Sequence, residues 1–214
     1  MPHILLYYKI KIGLLLGIVG LYTYICMEMR ELLINEKNIS LMAKKENTSF
    51  NIKKLLGVDI DQSQSIRFGN MFQEFIKNLV ISKGGKILPS QFIDVYKTGN
   101  TKSNKGLKDM DIWFILDDIM YYFEVKTNLD LDSEKSKATD NKIFDITKYL
   151  IIENQNTKVK TGILSCWYKR EHGLPIKVKT PVCYIEDMFK ILNIQCTSDE
   201  YYKLMLDFGK SISL

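Results

Sequence analysis

The sequence predicts an α/β domain with a mixed β-sheet flanked by helices, and three observations carry that prediction. A helical stripe of Phe68, Phe72, Phe75 and Leu79, spaced four, three and four apart, precedes a cluster of short apolar runs with strand-like alternation. A second helical segment separates those runs from two more of the same kind, and a closing helix ends the chain. The 214 residues, 46% hydrophobic and 26% charged, suffice for one domain with a substantial core and are too few for two.

The elements follow in chain order. Residues 1–41 read as an apolar leader ahead of a domain spanning 42–214. Within it "IGLLLGIVGLYTYICM" is shorter than the roughly 20 residues that cross a bilayer, and no small-x-small cleavage site follows. The leader has three readings: a mis-assigned start ahead of Met27, Met29 or Met42, a short membrane anchor, or a soluble helix. "MEMRELLINEKNISLMAKK" has helix-forming composition, and "NTSFNIKKLLGVDIDQSQS" predicts a short helix ending near Gly57. The long helix after it is capped by Ser63 or Ser65 and stopped by Gly84-Gly85, with Glu74 on the flank of its apolar stripe. "KILPSQFIDVYKTGN" predicts a strand, and Ile112–Leu116 and Ile119–Val125 predict two more around Asp117-Asp118. "TNLDLDSEKSKATDNK" reads as a polar loop before a helix over "NKIFDITKYLIIEN". "KVKTGILSCWYK" and "KVKTPVCYI" read as strands, and Ser198 caps the last helix.

Composition narrows the chemistry. Four cysteines form no C-x-x-C pair and have no zinc-finger spacing to histidine, so neither a disulfide framework nor a structural zinc site is implied, and a cytoplasmic setting is expected. With only His3 and His172, mechanisms built on several histidines drop out, and carboxylates and lysines must carry any reaction. Between Thr157 and Thr180 six cations face one acid, a basic strip suited to a polyanion.

The stretch "DIWFILDDIMYYFEVKTN" sets charges among apolar residues. A two-residue turn at Asp117-Asp118 places Asp111 directly opposite Glu124, where Cβ atoms approach to about 4.5–5.5 Å. Lys126 then shares their face, and Asp109 stands opposite it. Ile112, Phe114, Leu116, Tyr121, Phe123 and Val125 fall on the other, core face, which fixes the register. Asp-Asp lacks the glycine that such a turn prefers, so a longer loop would shift the pairing. Two close carboxylates repel, and Mg²⁺ is their natural counter-ion, a hard cation that also takes phosphate oxygens and water.

Asp111, Glu124-x-Lys126, the apolar strands that carry them and the preceding helix with Glu74 resemble the PD-(D/E)xK nucleases. The likeness is to the short type II restriction endonucleases in particular, over residues 60–180. It implies a restriction-endonuclease-like fold and Mg²⁺-dependent, sequence-specific cleavage of double-stranded DNA by a homodimer, with a cognate DNA methyltransferase as genetic partner and no membrane partner. On that likeness Asp111 and Glu124 ligate Mg²⁺, Lys126 is the catalytic lysine and Glu74 is an accessory acid. Met110 stands where the family has proline, which leaves Asp109 as a rival first ligand. Candidate DNA contacts are Asn128, Ser133, Lys135, Lys137 and Thr139 in the polar loop, and Lys169 and Arg170 beside Trp167 and Tyr168. The alternatives are a repair or junction-resolving nuclease of the same fold and, from another class, a non-catalytic or membrane-tethered nucleic-acid-binding protein.

Overall fold

The computed structural model describes residues 29–34, 52–89, 93–94, 107–129, 131–170 and 176–212. After a helical turn at 29–33 come α1 (Lys53–Leu56), α2 (Gln62–Ser82), β1 (Lys86–Ile87), β2 (Ile93–Asp94), β3 (Leu107–Lys108), β4 (Ile112–Leu116) and β5 (Ile119–Lys126). Then follow α3 (Ser133–Glu153), β6 (Lys158–Ser165), β7 (Val182–Cys183), α4 (Ile185–Ile191) and α5 (Ser198–Ile212). Five strands form one mixed sheet in the order β1-β4-β5-β6-β7, while β2 and β3 pair separately. The β1/β4 and β4/β5 pairs are antiparallel, and β5/β6 and β6/β7 are parallel. The parallel step from β5 to β6 needs a crossover, which α3 supplies.

The β4–β5 hairpin has the tight turn. Asp117 and Asp118 adopt φ of 49° and 58°, so both central residues are left-handed as a primed turn requires. Aspartate tolerates this conformation better than most non-glycine residues. The ladder from Leu116↔Ile119 to Ile112↔Phe123 then sets the register expected from the sequence.

Several boundaries differ from expectation for local physical reasons. The cap of α2 is Asp61 rather than Ser63 or Ser65: it accepts from the Gln64 amide at 2.6 Å, and the Gln64 side chain accepts from the Asp61 amide at 2.9 Å. The stretch expected as a loop before residue 141 is the first half of α3, capped by Asp132, which accepts from the Lys135 amide at 2.7 Å. Its polar letters belong to an exposed helix face, and its buried stripe of Ser136, Thr139, Ile143, Ile146 and Leu150 begins with two hydroxyls. "KVKTPVCYI" keeps only Val182–Cys183 as strand. The chain then enters α4, with Asp187 accepting from the Tyr184 amide at 3.0 Å. The cap of α5 is Thr197, one residue before Ser198, exchanging hydrogen bonds with Glu200.

The sheet is covered on both faces. Ile112, Phe114, Leu116, Tyr121, Phe123 and Val125 pack with Phe68, Phe72 and Phe75 of α2 and Phe208 of α5. Met120, Tyr122 and Ile163 pack on the opposite face with Ile143, Ile146 and Leu150 of α3. Helix α5 presses so closely on α1 that a Cβ at Gly209 would lie against the Leu56 carbonyl oxygen, which only glycine permits. Met29 and Leu33 are buried in the first core, and Arg30 pairs with Asp207 of α5 at 3.6 Å. Residues 29–34, within the stretch read as a leader, thus pack with the domain. The apolar run 12–27 lies outside the described residues, among which no helix is long and apolar enough to cross a membrane.

Candidate active site

Strands β5 and β6 run parallel and end together, with Lys126 beside Ser165 in register. The charges gather at this end of the α3 face. Asp111 lies one residue before β4, just past the last ladder pair, and therefore faces Glu124. Its Oδ2 accepts from the Val125 amide at 2.9 Å, which ties the side chain to the neighbouring strand. Its other oxygen carries no hydrogen bond among the described residues.

Glu124 is only 4% exposed. Strand alternation puts it on the α3 face between Tyr122 and Lys126, and all three side chains meet. The Lys126 ammonium donates to Oε1 at 2.8 Å. On Oε2 converge the Tyr122 hydroxyl at 2.9 Å and the Lys142 ammonium of α3 at 2.5 Å. Two acids and two lysines thus balance in charge.

The balance is unequal between the acids. Burial pushes Glu124 up, but Lys126 and Lys142 outweigh it and hold the carboxyl below its usual range. Asp111 is pushed up to about 6, first by burial and then by the Glu124 charge, against the weaker pull of Lys142, the Val125 amide and Lys126. Burial and the Glu124 charge also raise Tyr122, keeping its hydroxyl protonated as a donor.

The remaining expected residues are dispersed. Asp109 is exposed, so Asp111 is the acid held against β5. Glu74 is a correction: its side chain is 66% exposed and pairs with Lys77 at 2.8 Å. Gly69 of α2 lies near this end of β5, where a Cβ would be 3.8 Å from Thr127. Five residues on, Glu74 points about 140° away round the helix. Asn128 is half-buried just after β5. Ser133, Lys135 and Lys137 are exposed on α3 rather than on a loop, and Lys135 pairs with its own cap Asp132 at 3.2 Å. Thr139, 8% exposed, is on the buried side of α3, which removes it as a DNA contact. Lys169 and Arg170 are exposed beyond the β6 end that carries Ser165.

The basic strip is also corrected, because it is not one surface. Lys158 opens β6 and Lys160 lies 5.6 Å over the Tyr121 ring, on the face away from Glu124. Lys177 and Lys179 instead lie beside α3.

Sequence reasoning missed Tyr122 and Lys142. Tyr122 is two residues before Glu124, which alternation alone puts on its face. Lys142 stands three residues after Thr139 and four before Ile146, within the edge of the buried stripe, a position where a lysine needs a partner.

The donor set suits a hard divalent cation. Two carboxylate side chains converge, one with an uncommitted oxygen, and among the described residues no sulfur or imidazole joins them. Among the described residues no group of three or more His, Cys, Asp and Glu side chains forms, so any further ligands would be water or substrate oxygens, as Mg²⁺ commonly takes. No family model and no curated protein matches the chain.

Proposed function

We propose that the protein is a Mg²⁺-dependent DNA endonuclease of the PD-(D/E)xK type, acting as a type II restriction enzyme on double-stranded DNA. The observation that supports this most is the Asp111–Glu124 pair on adjacent strands, with the Lys126 ammonium 2.8 Å from Glu124. Asp111 and Glu124 would hold the ion, which when bound supplies Lewis-acid polarisation of the phosphoryl oxygen and a lowered pKa for water. Asp111 is the responsive member, because a nearby cation relieves its repulsion with Glu124 and stabilises its charged form.

The lysines have separate tasks in this reading. Lys126 orients the attacking water and offsets the charge that develops on the phosphate. Lys142 balances Glu124 in the resting protein, and Tyr122 fixes the carboxylate from the core side. Cutting both strands of a duplex with one such site per chain calls for a homodimer, whose two-fold axis suits a palindromic target. A repair or junction-resolving nuclease shares this chemistry and differs in substrate.

One observation favours a second reading, a non-catalytic nucleic-acid-binding protein with a structural ion cluster: Glu124 is already engaged by Lys126, Lys142 and Tyr122. The uncommitted oxygen of Asp111 and its raised pKa argue for the enzyme. The deciding experiment incubates purified protein with supercoiled plasmid. Nicked and linear products with Mg²⁺, none with EDTA, and binding without efficient cutting in Ca²⁺ support the nuclease. Intact plasmid across a panel of unrelated sequences in Mg²⁺ and in Mn²⁺ would overturn it.

A further inference from the structure

Helix α3 presents a second polar face next to the cluster. Ser133, Ser136, Lys137, Asp140 and Asn141 recur at helical spacing and share one side. Opposite them, the extended stretch 176–180 contributes Lys177 and Lys179, and together they line an open groove of about 400 Å³. Asp140 holds the two walls together. Its carboxylate accepts from the amides of Lys179 at 3.0 Å and Thr180 at 2.9 Å, and from the Thr180 hydroxyl at 2.7 Å. The acid is thereby turned onto the protein, whereas the ammonium groups of Lys137, Lys177 and Lys179 form no ion pair among the described residues.

We infer that this groove binds the sugar-phosphate backbone of duplex DNA, independently of base sequence, and leads it to the Asp111–Glu124 cluster. The inference rests on the nuclease reading for the identity of the polyanion and adds where the strand runs. The groove offers mainly ammonium and hydroxyl donors, the chemistry that meets phosphate oxygens. From Ser133 to Asn141 the helix rises about 12 Å, and one strand places a phosphate every 3.4 Å or so along the duplex axis. Lys137 on this helix and Lys177 and Lys179 on the facing wall bring three cations to the groove, enough for about three phosphates. Asn141 lines the groove and its neighbour Lys142 contacts Glu124, so groove and cluster adjoin on one helix.

The test measures binding of unrelated fluorescent 20-base-pair duplexes in EDTA, where cleavage does not interfere, across a range of KCl concentrations. Each of K137Q, K177Q and K179Q should lower the slope of log K against log salt by about 0.9, and the triple variant by about 2.7, equally for every duplex. All three lysines are exposed, and circular dichroism should show unchanged folding. A triple variant with the wild-type slope overturns the groove even if plasmid is still cut. Saturable binding of inorganic phosphate that the triple variant loses, with no change in its DNA slope, also overturns it, in favour of a small-anion site. The expected slopes in a protein that never cuts DNA uphold the groove and sink only the nuclease reading.

Discussion

The two faces of the central sheet have opposite characters although the same strands build both. Toward α2 and α5 every inward side chain of β4 and β5 is apolar, and Phe114 and Tyr121 stack at 4.9 Å. Toward α3 the face is apolar near the turn, through Met120, Tyr122 and Ile146, and becomes charged at the far end, with Glu124 and Lys126 beside Asp111 and Lys142. One face is therefore relaxed and serves stability. The other buries two acids side by side, and burial first, then the Glu124 charge, pushes Asp111 up to about 6. Such placement costs stability, and it is confined to one end of one face, which supports the site proposed there.

The contrast breaks first at the charged end. Asp111→Ala and Glu124→Ala should each reduce Mg²⁺-dependent plasmid nicking to background, while Lys126→Ala should lower the rate by roughly 10²–10³-fold and keep DNA binding in Ca²⁺. On the relaxed face, Leu33→Ala should leave the charged cluster intact yet lower unfolding free energy by about 2–5 kcal/mol in urea titrations. A loss below about 0.5 kcal/mol would return residues 29–34 to a dispensable leader.

The sign reverses for the isosteric Asp111→Asn. Asp111 binds its proton more tightly folded than unfolded, so its contribution is most favourable below pH 3.8 and is lost as pH rises through about 6. Without metal at pH 7.5 the asparagine variant should therefore be more stable than wild type, by up to about 3 kcal/mol. The gap should close as the pH falls from 6 toward 4. Glu124 works the other way: its stabilising effect is present above its usual range and lost as pH falls.

Much of this contrast was legible in the sequence. The two-residue period of a strand, applied to "DIWFIL" and "IMYYFEVK" with a turn between, indicated which residues share a face, and the register followed despite the absence of glycine at Asp117-Asp118. What escaped depended on tertiary partners. Lys142 reaches Glu124 only because α3 crosses that face, and its helix starts more than two turns before the apolar letters. Glu74 failed as a site residue because a position on the flank of a stripe says which side of a helix it occupies, not which layer of the sheet that helix covers. The basic strip was continuous in sequence and divided in space, since Lys160 lies over Tyr121 on one face of the sheet and Lys177 and Lys179 lie beside α3 on the other.

The central claim, that Asp111 and Glu124 form a divalent-cation site, is tested most directly without any DNA, by isothermal titration of Mn²⁺ into the metal-free protein at pH 7.5. Wild type should take up the ion saturably, and both Asp111→Asn and Glu124→Gln, folded by circular dichroism, should lose that uptake. Saturable binding of equal affinity in all three proteins, or none in wild type up to millimolar Mn²⁺, would contradict the account.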